Sequence, residues 1–411
     1  MPNSRQTPLR KLQLRHAGIR HLTSTTEAKE LEPFTLERYF AKYEFSTPYL
    51  LCCSDCEPMQ LTSLLQMADQ DSLNRWQQLR LAYTESAGLP ALRIEISSLY
   101  RGIQPEHVVV LAPEEGVYLG MLALLKAGDH VIVTFPGYQS LYSVAQSLGC
   151  EVSFWEPVSN ANGALRFDME QLAGLIRNNT KAVVVNFPHN PSGALPTSQE
   201  WQHLIELCRA NGAYLFSDEM YRLLELDPRT RLPSAADAYE RGIALSGVSK
   251  TLGLPGLRIG WLASQDERVL MRVLELKDYT TICSSAPSEV LALIGLRAKD
   301  MIIARNLSTI RHNIKAAETF FGGRKDQFEF TAPLAGTVAF PRVTTGEPID
   351  DFCKRCVEGA GVLLLPASVY THAPSVEAGR FRLGLGRSDF TRCLRELGAY
   401  TDRAARSARR R

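Results

Sequence analysis

A lysine and an arginine lie eight residues apart in the segment 246–258, which also contains small residues, glycines and a proline. The amine of Lys250 can condense with a carbonyl to form a Schiff base, provided that its neighbours depress its pKa. The guanidinium of Arg258 presents a fixed fork of donors that suits a phosphate. The pairing of these two side chains therefore indicates a binding site for a molecule that bears both an aldehyde and a phosphate group.

Upstream of this segment, apolar runs end abruptly in polar residues. One run leads to Asn190, and the next leads to Asp218 and Tyr221. A third predicted strand, residues 243–245, leads to Lys250. If these strands are parallel, their carboxyl ends open on the same edge of a sheet, so we expect the four side chains to meet at one crevice.

The order of these motifs resembles the class I and II aminotransferases, enzymes of fold type I that use pyridoxal 5′-phosphate (PLP). His-Asn-Pro-Ser-Gly precedes Ser-Asp-Glu-Met-Tyr, and Ser-Lys with Gly-Leu-Pro-Gly-Leu-Arg-Ile-Gly-Trp follows. The combined order and spacing discriminate far better than any one motif, and the likeness covers residues 31–400. Within the family, the chain resembles the capreomycidine synthase-like aminotransferases.

The resemblance implies roles for the motif residues. Lys250 matches the lysine that forms the Schiff base with the cofactor and later moves a proton. Asp218 matches the carboxylate that keeps the pyridine nitrogen protonated, so that the ring accepts electrons. Asn190 and Tyr221 match donors to the phenolic oxygen of the ring, and Arg258 matches the phosphate-binding arginine. Lys250, Asp218 and Tyr221 are predicted to be catalytic.

Three further positions follow from the resemblance. Tyr138 matches an aromatic ring that stacks on the pyridine face. Tyr83 matches the tyrosine that reaches the phosphate of the partner subunit, which implies a homodimer. Arg382 matches the arginine that holds the α-carboxylate of the substrate, a task that suits a bidentate guanidinium. Arg380 and Arg387 lie close by, and any of the three could be a surface charge.

The chain departs from the family pattern near the phosphate. Family members carry serine or threonine three residues before the lysine, but this position is Gly247, and Ser249 is predicted to bind the cofactor nearby. The family holds the phosphate with backbone N–H groups at a helix start, which here reads Pro113-Glu114-Glu115. Proline has no N–H, and carboxylates that face a phosphate repel it. Glu114 is nevertheless placed among the cofactor-binding residues.

Apolar strands alternate with amphipathic helices through the middle of the chain. This alternation predicts an α/β fold with a large, doubly wound, mainly parallel sheet and a smaller α+β domain. Strands are predicted at residues 108–111, 131–135, 152–155, 182–187, 214–217, 243–245 and 259–263. One long helix is predicted over residues 289–315, and another over 350–359, where Cys353 and Cys356 would be core positions.

The chain of 411 residues is too long for one compact core, so two domains are expected. The predicted division has a flexible basic leader, an N-terminal part of the small domain, a large PLP-binding domain, a C-terminal part of the small domain and a basic tail. These span residues 1–30, 31–74, 75–288, 289–400 and 401–411, respectively. An organellar targeting segment is the alternative interpretation of the leader, which carries five Lys or Arg and no acid through Thr26.

Composition narrows the class of protein. A formal net charge of +2 gives no broad basic face for nucleic acid, and no apolar run is long enough to cross a membrane. Nine cysteines, an odd number, favour reduced thiols and a cytoplasmic location. A zinc site that joins the pairs Cys53/Cys56 and Cys353/Cys356 is disfavoured, because neither pair has a glycine-rich knuckle. No metal is therefore predicted.

The leading hypothesis is a PLP-dependent aminotransferase that exchanges an amino group between an α-amino acid and a 2-oxo acid. Gly247 leaves open a PLP-dependent lyase, cyclase or oxidase that uses the same site. A non-catalytic PLP-binding protein or a DNA-binding regulator is disfavoured, because Lys250 and Asp218 are retained and the N-terminal region is too short for a helix-turn-helix. The preferred substrate side chain is not predicted.

Overall fold

A computed structural model describes residues 30–160, 163–370 and 379–408, with side chains as far as residue 404. The predicted leader therefore lies outside the described residues, apart from residue 30. The N-terminal elements are α1 (Thr35–Tyr43), β1 (Tyr49–Leu50), α2 (Leu61–Leu65) and α3 (Gln70–Gln77).

The middle of the chain alternates helices and strands, as its sequence pattern predicts. Its elements are α4 (Pro90–Ser97), β2 (Val108–Leu111), α5 (Pro113–Leu124), β3 (His130–Thr134), α6 (Ser140–Ser147), β4 (Glu151–Trp155), β5 (Val158–Ser159), β6 (Leu165–Arg166), α7 (Met169–Leu175), β7 (Thr180–Asn186), α8 (Ser198–Asn211), β8 (Tyr214–Asp218), α9 (Ala235–Ala238), β9 (Gly242–Gly247), β10 (Gly260–Ser264) and α10 (Glu267–Lys277). The seven predicted strands agree with β2, β3, β4, β7, β8, β9 and β10 to within two residues at each end.

The C-terminal part is mixed. Its elements are α11 (Ala286–Arg297), α12 (Lys299–Gly322), β11 (Phe328–Glu329), β12 (Val338–Ala339), β13 (Arg342–Val343), α13 (Ile349–Ala360), β14 (Val362–Leu363), β15 (Leu365–Pro366), β16 (Phe381–Gly384) and α14 (Phe390–Ala408). The segment predicted as a basic tail is thus helical as far as residue 408, and Asp402 pairs with Arg324 at 3.0 Å. No helix within the described ranges is both long enough and apolar enough to span a bilayer.

Within the described residues, a seven-stranded sheet has the order β2-β10-β9-β8-β7-β3-β4. Only β10 runs against its neighbours, β2 and β9, and the other pairings are parallel. Strands such as β2 and β7 are almost entirely buried, as continuous apolar runs require when helices cover both faces. The predicted α/β fold with a mainly parallel sheet is confirmed.

Local sequence signals set several helix ends. Helix α8 begins with a capping box, in which Thr197 accepts from the N–H of Glu200 and the Glu200 carboxylate accepts from the N–H of Thr197. It ends at Gly212, whose φ of 73° suits a residue without Cβ. Helix α13 carries Cys353 and Cys356 on its buried face, in agreement with their predicted core positions.

The prediction of one long helix over residues 289–315 is wrong. Two helices, α11 and α12, are separated at Ala298, whose φ is −92° and ψ is 8°. Apart from its first turn, where Ile302 stays in the core of α11, helix α12 packs in a different core. Helix α11 contacts α2, α3 and α4, whereas α12 contacts α14 in the C-terminal core. The break lets the chain pass from one core to the other, and hydrophobic periodicity does not report such a change of partner.

The N-terminal segment joins both parts of the molecule. Strand β1 pairs in parallel with β14, so the residues that follow β1 lie beside the C-terminal strands. Helices α2 and α3 pack against α11 instead. The residues between β1 and α2, which include Ser54 and Asp55, therefore pass close to the sheet edge where β9 ends.

Candidate active site

A cavity of about 500 Å³ opens where the carboxyl ends of the central strands meet the N-terminal segment. All the predicted site residues except Tyr83 line it. They are Glu114, Tyr138, Asn190, Asp218, Tyr221, Ser249, Lys250, Arg258 and Arg382. The structure therefore brings together residues that are spread over nearly 270 positions of the chain.

Strand direction explains this convergence. Asp218 ends β8, Asn190 follows β7 by four residues, and Lys250 follows β9 by three. Tyr138 follows β3, which lies next to β7 at the point where the strand order reverses. Arg258 precedes β10, and because β10 is antiparallel, its start lies at the same edge as the ends of the others. Ligands of α/β sheets bind at such a switch point.

Lys250 is held as a reactive amine. Its Nζ donates to Ser54 Oγ at 3.0 Å. Burial lowers the pKa of this amine, and the neighbouring Asp55 carboxylate opposes that effect. A lowered pKa increases the fraction of neutral, nucleophilic amine near neutral pH.

Asp218 is a buried carboxyl with one strong local partner. Its Oδ1 accepts from the backbone N–H of Met220 at 3.0 Å. Burial raises its pKa to about 7, while this N–H and the Lys250 ammonium act in the opposite direction. A cation placed beside Asp218 would favour its ionised form, so the residue is suited to pair with a protonated ring nitrogen.

The raised pKa of Asp218 predicts how the cofactor-free protein responds to pH. The folded-state pKa, about 7, exceeds the value of an unfolded aspartate, about 3.9, so protonation favours the folded state. This contribution is fully present below the unfolded pKa and is lost as pH rises through about 7. We expect Asp218→Asn to gain stability relative to the wild type between about pH 5 and pH 7, and little more above about pH 8, measured as urea midpoints of the two cofactor-free proteins. A difference that stays constant over this range would contradict the prediction.

Arg382 is 2% exposed and carries a charge without an anionic partner among the described residues. It donates to the carbonyl of Cys52 at 3.0 Å, to Asn190 Oδ1 at 3.3 Å and to the hydroxyl of Tyr370 at 3.1 Å. All three acceptors are neutral. A buried charge is costly unless it is paired, so this guanidinium fits a carboxylate-bearing ligand.

The neighbouring arginines have other partners. Arg380 donates to the carbonyl of Phe340 at 2.7 Å, and Arg387 pairs with Asp55 at 3.0 Å. Neither lines the cavity. The sequence does not show which of the three arginines faces a ligand. In the structure, Arg382 is the one of the three that lines the cavity.

Asn190 and Tyr221 are fixed by their surroundings. The N–H of Asn190 donates to Asn186 Oδ1 at 2.7 Å. The turn after it needs Gly193, because φ is +68° and a Cβ there would lie 2.2 Å from Pro333. Burial raises the pKa of Tyr221 to about 12, and the nearby Ser54 hydroxyl acts in the opposite direction. Ser54 thus lies close to the Tyr221 hydroxyl and accepts from the Lys250 amine.

Two side chains at the other end of the cavity have unused hydrogen-bonding capacity. Ser249 Oγ is buried and has no partner within the described residues. Arg258 is exposed, and among the described residues its side chain donates only to the carbonyl of Pro255, at 3.5 Å. Gly247 does not line the cavity, and a Cβ there would lie 3.0 Å from the carbonyl oxygen of Ile259. Packing therefore disfavours the usual serine or threonine at that position, whereas Ser249 places a hydroxyl at the cavity.

The two glutamates at the start of α5 face different ways. Glu115 accepts from the N–H of Ala112 at 3.3 Å and from the hydroxyl of Thr281 at 2.8 Å, and it does not line the cavity. Glu114 does line it, and burial raises its pKa to about 7. A partly protonated Glu114 would repel a neighbouring anion less than an ordinary carboxylate would.

The two predicted tyrosine contacts differ in placement. The Tyr138 hydroxyl donates to Glu37 Oε1 at 2.9 Å, and its ring packs against Phe34 with centroids 5.0 Å apart. Tyr83 is 90% exposed and lies away from the cavity within a single chain. Its predicted contact is therefore one that only a second subunit would make.

Several cavity residues were missed by sequence reasoning. They are Glu37, Phe40, Glu44, Ser54 and Asp55. Ser54 lies 196 positions from Lys250 and reaches it through the pairing of β1 with β14. No local motif marks these positions, and only the amphipathic pattern of α1 and its acidic residues were available as a signal.

Comparison with known proteins identifies the family. The model for aminotransferase class I and II matches residues 50–393. The chain belongs to this family. Capreomycidine synthase of Streptomyces vinaceus is 30% identical over 389 residues, which cover 93% of this chain and 96% of the relative. The predicted resemblance is thus confirmed.

Solved aminotransferase-fold structures are also similar. A PLP-dependent aminotransferase from Streptococcus suis superimposes with a TM-score of 0.83 at 29% identity, covering 91% of this chain and 99% of the other. The PLP-dependent cyclase OrfR gives a TM-score of 0.82 at 26% identity, covering 92% and 100%. Like the other members of its family, the protein described here uses pyridoxal 5′-phosphate.

The residues present fit that cofactor. Lys250 offers an amine to its aldehyde, and Asp218 offers a carboxylate to its ring nitrogen. Ser249 and Arg258, which have unused donors, would hold the phosphate at the start of α5. The orphaned hydroxyl of Ser249 is the observation that most directly supports the fit, since buried polar groups are normally paired.

Proposed function

We propose that this aminotransferase transfers the amino group of an α-amino acid to a 2-oxo acid, with Lys250, Asp218 and Tyr221 as its catalytic residues. One observation supports the proposal most directly. Arg382 lines the same cavity as Lys250 and Asp218, and its buried guanidinium has no anionic partner among the described residues. Arg382 would bind the α-carboxylate of either substrate. This would direct the α-amino group or the oxo group towards Lys250.

Each side chain of the cavity would have its own role in the proposed reaction. Bound PLP supplies an aldehyde that takes up amines and a ring that accepts the electrons released when a bond at Cα breaks. Lys250 would hold the aldehyde at rest and then, as a free amine, take the proton from Cα and return it. The Ser54 hydroxyl, which accepts from Lys250 and lies near Tyr221, would orient that amine during proton transfer. Asp218 would hold a proton on the ring nitrogen.

A spectral titration tests the proposal. The full chain loaded with PLP is mixed with a panel of α-amino acids, and the cofactor absorbance and the 2-oxo acid formed are measured. We expect conversion to the aminated cofactor by at least one amino acid, and return to the starting spectrum on addition of a 2-oxo acid. If no amino acid forms a 2-oxo acid, transamination is ruled out.

Cyclisation is a second candidate, favoured by the likeness to capreomycidine synthase and to the cyclase OrfR. Both reactions begin by removing the Cα proton, and they differ in which bond breaks next. Product analysis separates them. A product that keeps its amino group, formed without any 2-oxo acid acceptor, would select cyclisation.

The proposed homodimer predicts a role for Tyr83. Leu81, Tyr83 and Tyr279 are each about nine-tenths exposed in the single chain, an arrangement that favours contact with a second copy. We expect Tyr83→Phe to weaken PLP binding about tenfold, because a hydrogen bond to a charged phosphate is lost. Tyr118→Phe, at another exposed tyrosine, is the matched control. Equal PLP affinity in Tyr83→Phe and the wild type would refute the assignment.

A further inference from the structure

Helix α1 forms one wall of the cavity. Phe34, which precedes the helix, and Glu37, Phe40 and Glu44 along it all line the cavity. Residues three, four and seven apart lie on one face of a helix, so this wall is a single helical face. It presents two carboxylates with an aromatic ring between them.

Within the described residues, neither carboxylate of this wall forms an ion pair, and Arg387 and Lys250 act on Glu44 only at longer range. The Glu44 carboxylate accepts no hydrogen bond and forms no ion pair with another residue in the described ranges, and burial raises its pKa. Glu37 accepts one hydrogen bond, from the neutral hydroxyl of Tyr138 at 2.9 Å. Partly buried carboxylates are normally paired with cations or with several hydrogen-bond donors, so these two carboxylates can still bind a cation or further donors.

The cations of the cavity are placed for other tasks. Lys250 donates to Ser54, and Arg258 lies at the phosphate end with Ser249. Asp55, the remaining acid near Glu44, is already neutralised by Arg387 at 3.0 Å. The negative charge of Glu37 and Glu44 is therefore available to a ligand.

Arg382 gives an independent indication of where that ligand lies. Its buried guanidinium needs an anion, and it sits over the ring of Phe40, 5.6 Å from the centroid. Glu37 and Glu44 are each about one helical turn from Phe40. An amino acid anchored by its carboxylate at Arg382 thus has both glutamates within reach of its side chain.

We propose that the substrate of this enzyme is an α-amino acid with a cationic side chain, and that Glu44 and Glu37 bind its guanidinium or ammonium group. The proposal rests on the proposed function, since Arg382 serves as the carboxylate anchor. A charge pair in a cavity shielded from water is stronger than one on the surface. An acidic side chain would meet two like charges, and an apolar one would leave both carboxylates unpaired.

Two matched substrate pairs test the proposal. The full chain loaded with PLP is assayed with L-arginine against L-citrulline and with L-lysine against L-norleucine, which differ mainly in charge. We expect kcat/KM to favour the cationic member of at least one pair by about 30-fold or more, as expected when a shielded charge loses its partner. L-glutamate is expected to be the poorest substrate.

Variants of the α1 wall test whether its carboxylates cause the preference for cationic substrates. Glu44→Gln and Glu37→Gln should reduce the ratio between cationic and neutral substrates, chiefly by raising KM for the cationic one, while the neutral one changes little. Glu318→Gln, an exposed glutamate of α12, removes the same charge elsewhere and should leave the ratio unchanged. A preference that survives in both wall variants would overturn the role of these carboxylates.

The outcomes separate this inference from the proposed function. If the wild type transaminates neutral and cationic amino acids equally well, or prefers glutamate, the substrate class is wrong while aminotransfer stands. If arginine or lysine perturbs the cofactor spectrum with a Glu44-dependent Kd but yields no 2-oxo acid, the substrate class stands and aminotransfer fails. If no amino acid of the panel perturbs the spectrum, both are overturned.

Discussion

Lys250→Ala is expected to lower kcat by at least about 10⁴-fold, because a positioned acid–base group alone contributes up to about that factor. The variant also loses the amine that would hold the cofactor aldehyde. Product formation at saturating substrate is the measurement. Ser54, Tyr221 and Asp218 remain in place in this variant, so the loss can be assigned to the amine.

A matched control and a chemical label sharpen this test. Lys354→Ala removes an exposed lysine of α13 and should leave kcat unchanged. After borohydride reduction of the PLP-loaded wild type, the peptide containing Lys250 should carry the pyridoxyl mass. A label found on another lysine, or near-normal turnover of Lys250→Ala, would contradict the assignment.

Asp218→Asn is expected to lower kcat by about 10²- to 10³-fold, the usual effect of removing one preorganised charge from an active site. Asparagine can still accept from the N–H of Met220, so the local turn should persist. It has no negative charge to hold a proton on the ring nitrogen, and the ring then accepts electrons poorly. The rate of 2-oxo acid formation measures the effect.

The cofactor spectrum separates this effect from loss of binding. Asp218→Asn should still attach PLP at Lys250, because the amine and the phosphate-binding residues are unchanged. Asp326→Asn, an exposed aspartate distant from the cavity, is the control for loss of one negative charge. Wild-type turnover in Asp218→Asn would remove Asp218 from the catalytic residues.

Much of the fold and most of the cavity follow from local sequence signals. Buried strands such as β2 and β7 are continuous runs of apolar residues, and α8 is bounded by a capping box and a glycine. The polar residues directly after such runs, Asn190 and Asp218, lie where parallel strands must end. These signals are readable because each one depends on contacts within a few residues.

Other parts of the site depend on contacts between distant segments. The break at Ala298 reflects the change of packing partner from one core to another. Ser54 reaches Lys250 only because β1 pairs with β14. The acidic face of α1 is visible as a pattern, but its position over the cavity is not, because no local rule states what an amphipathic helix packs against.

The sequence by itself determined the chemistry, since an amine, a carboxylate and a phosphate-binding arginine follow strands in a fixed order, and the family follows from that order. The tertiary structure alone decided that Arg382, rather than Arg380 or Arg387, faces the cavity. It also decided that the α1 wall beside Arg382 carries two glutamates that form no ion pair within the described residues. The physical reason is that the type and order of residues are local properties, whereas charge pairing and burial are set by segments hundreds of residues apart that meet only on folding.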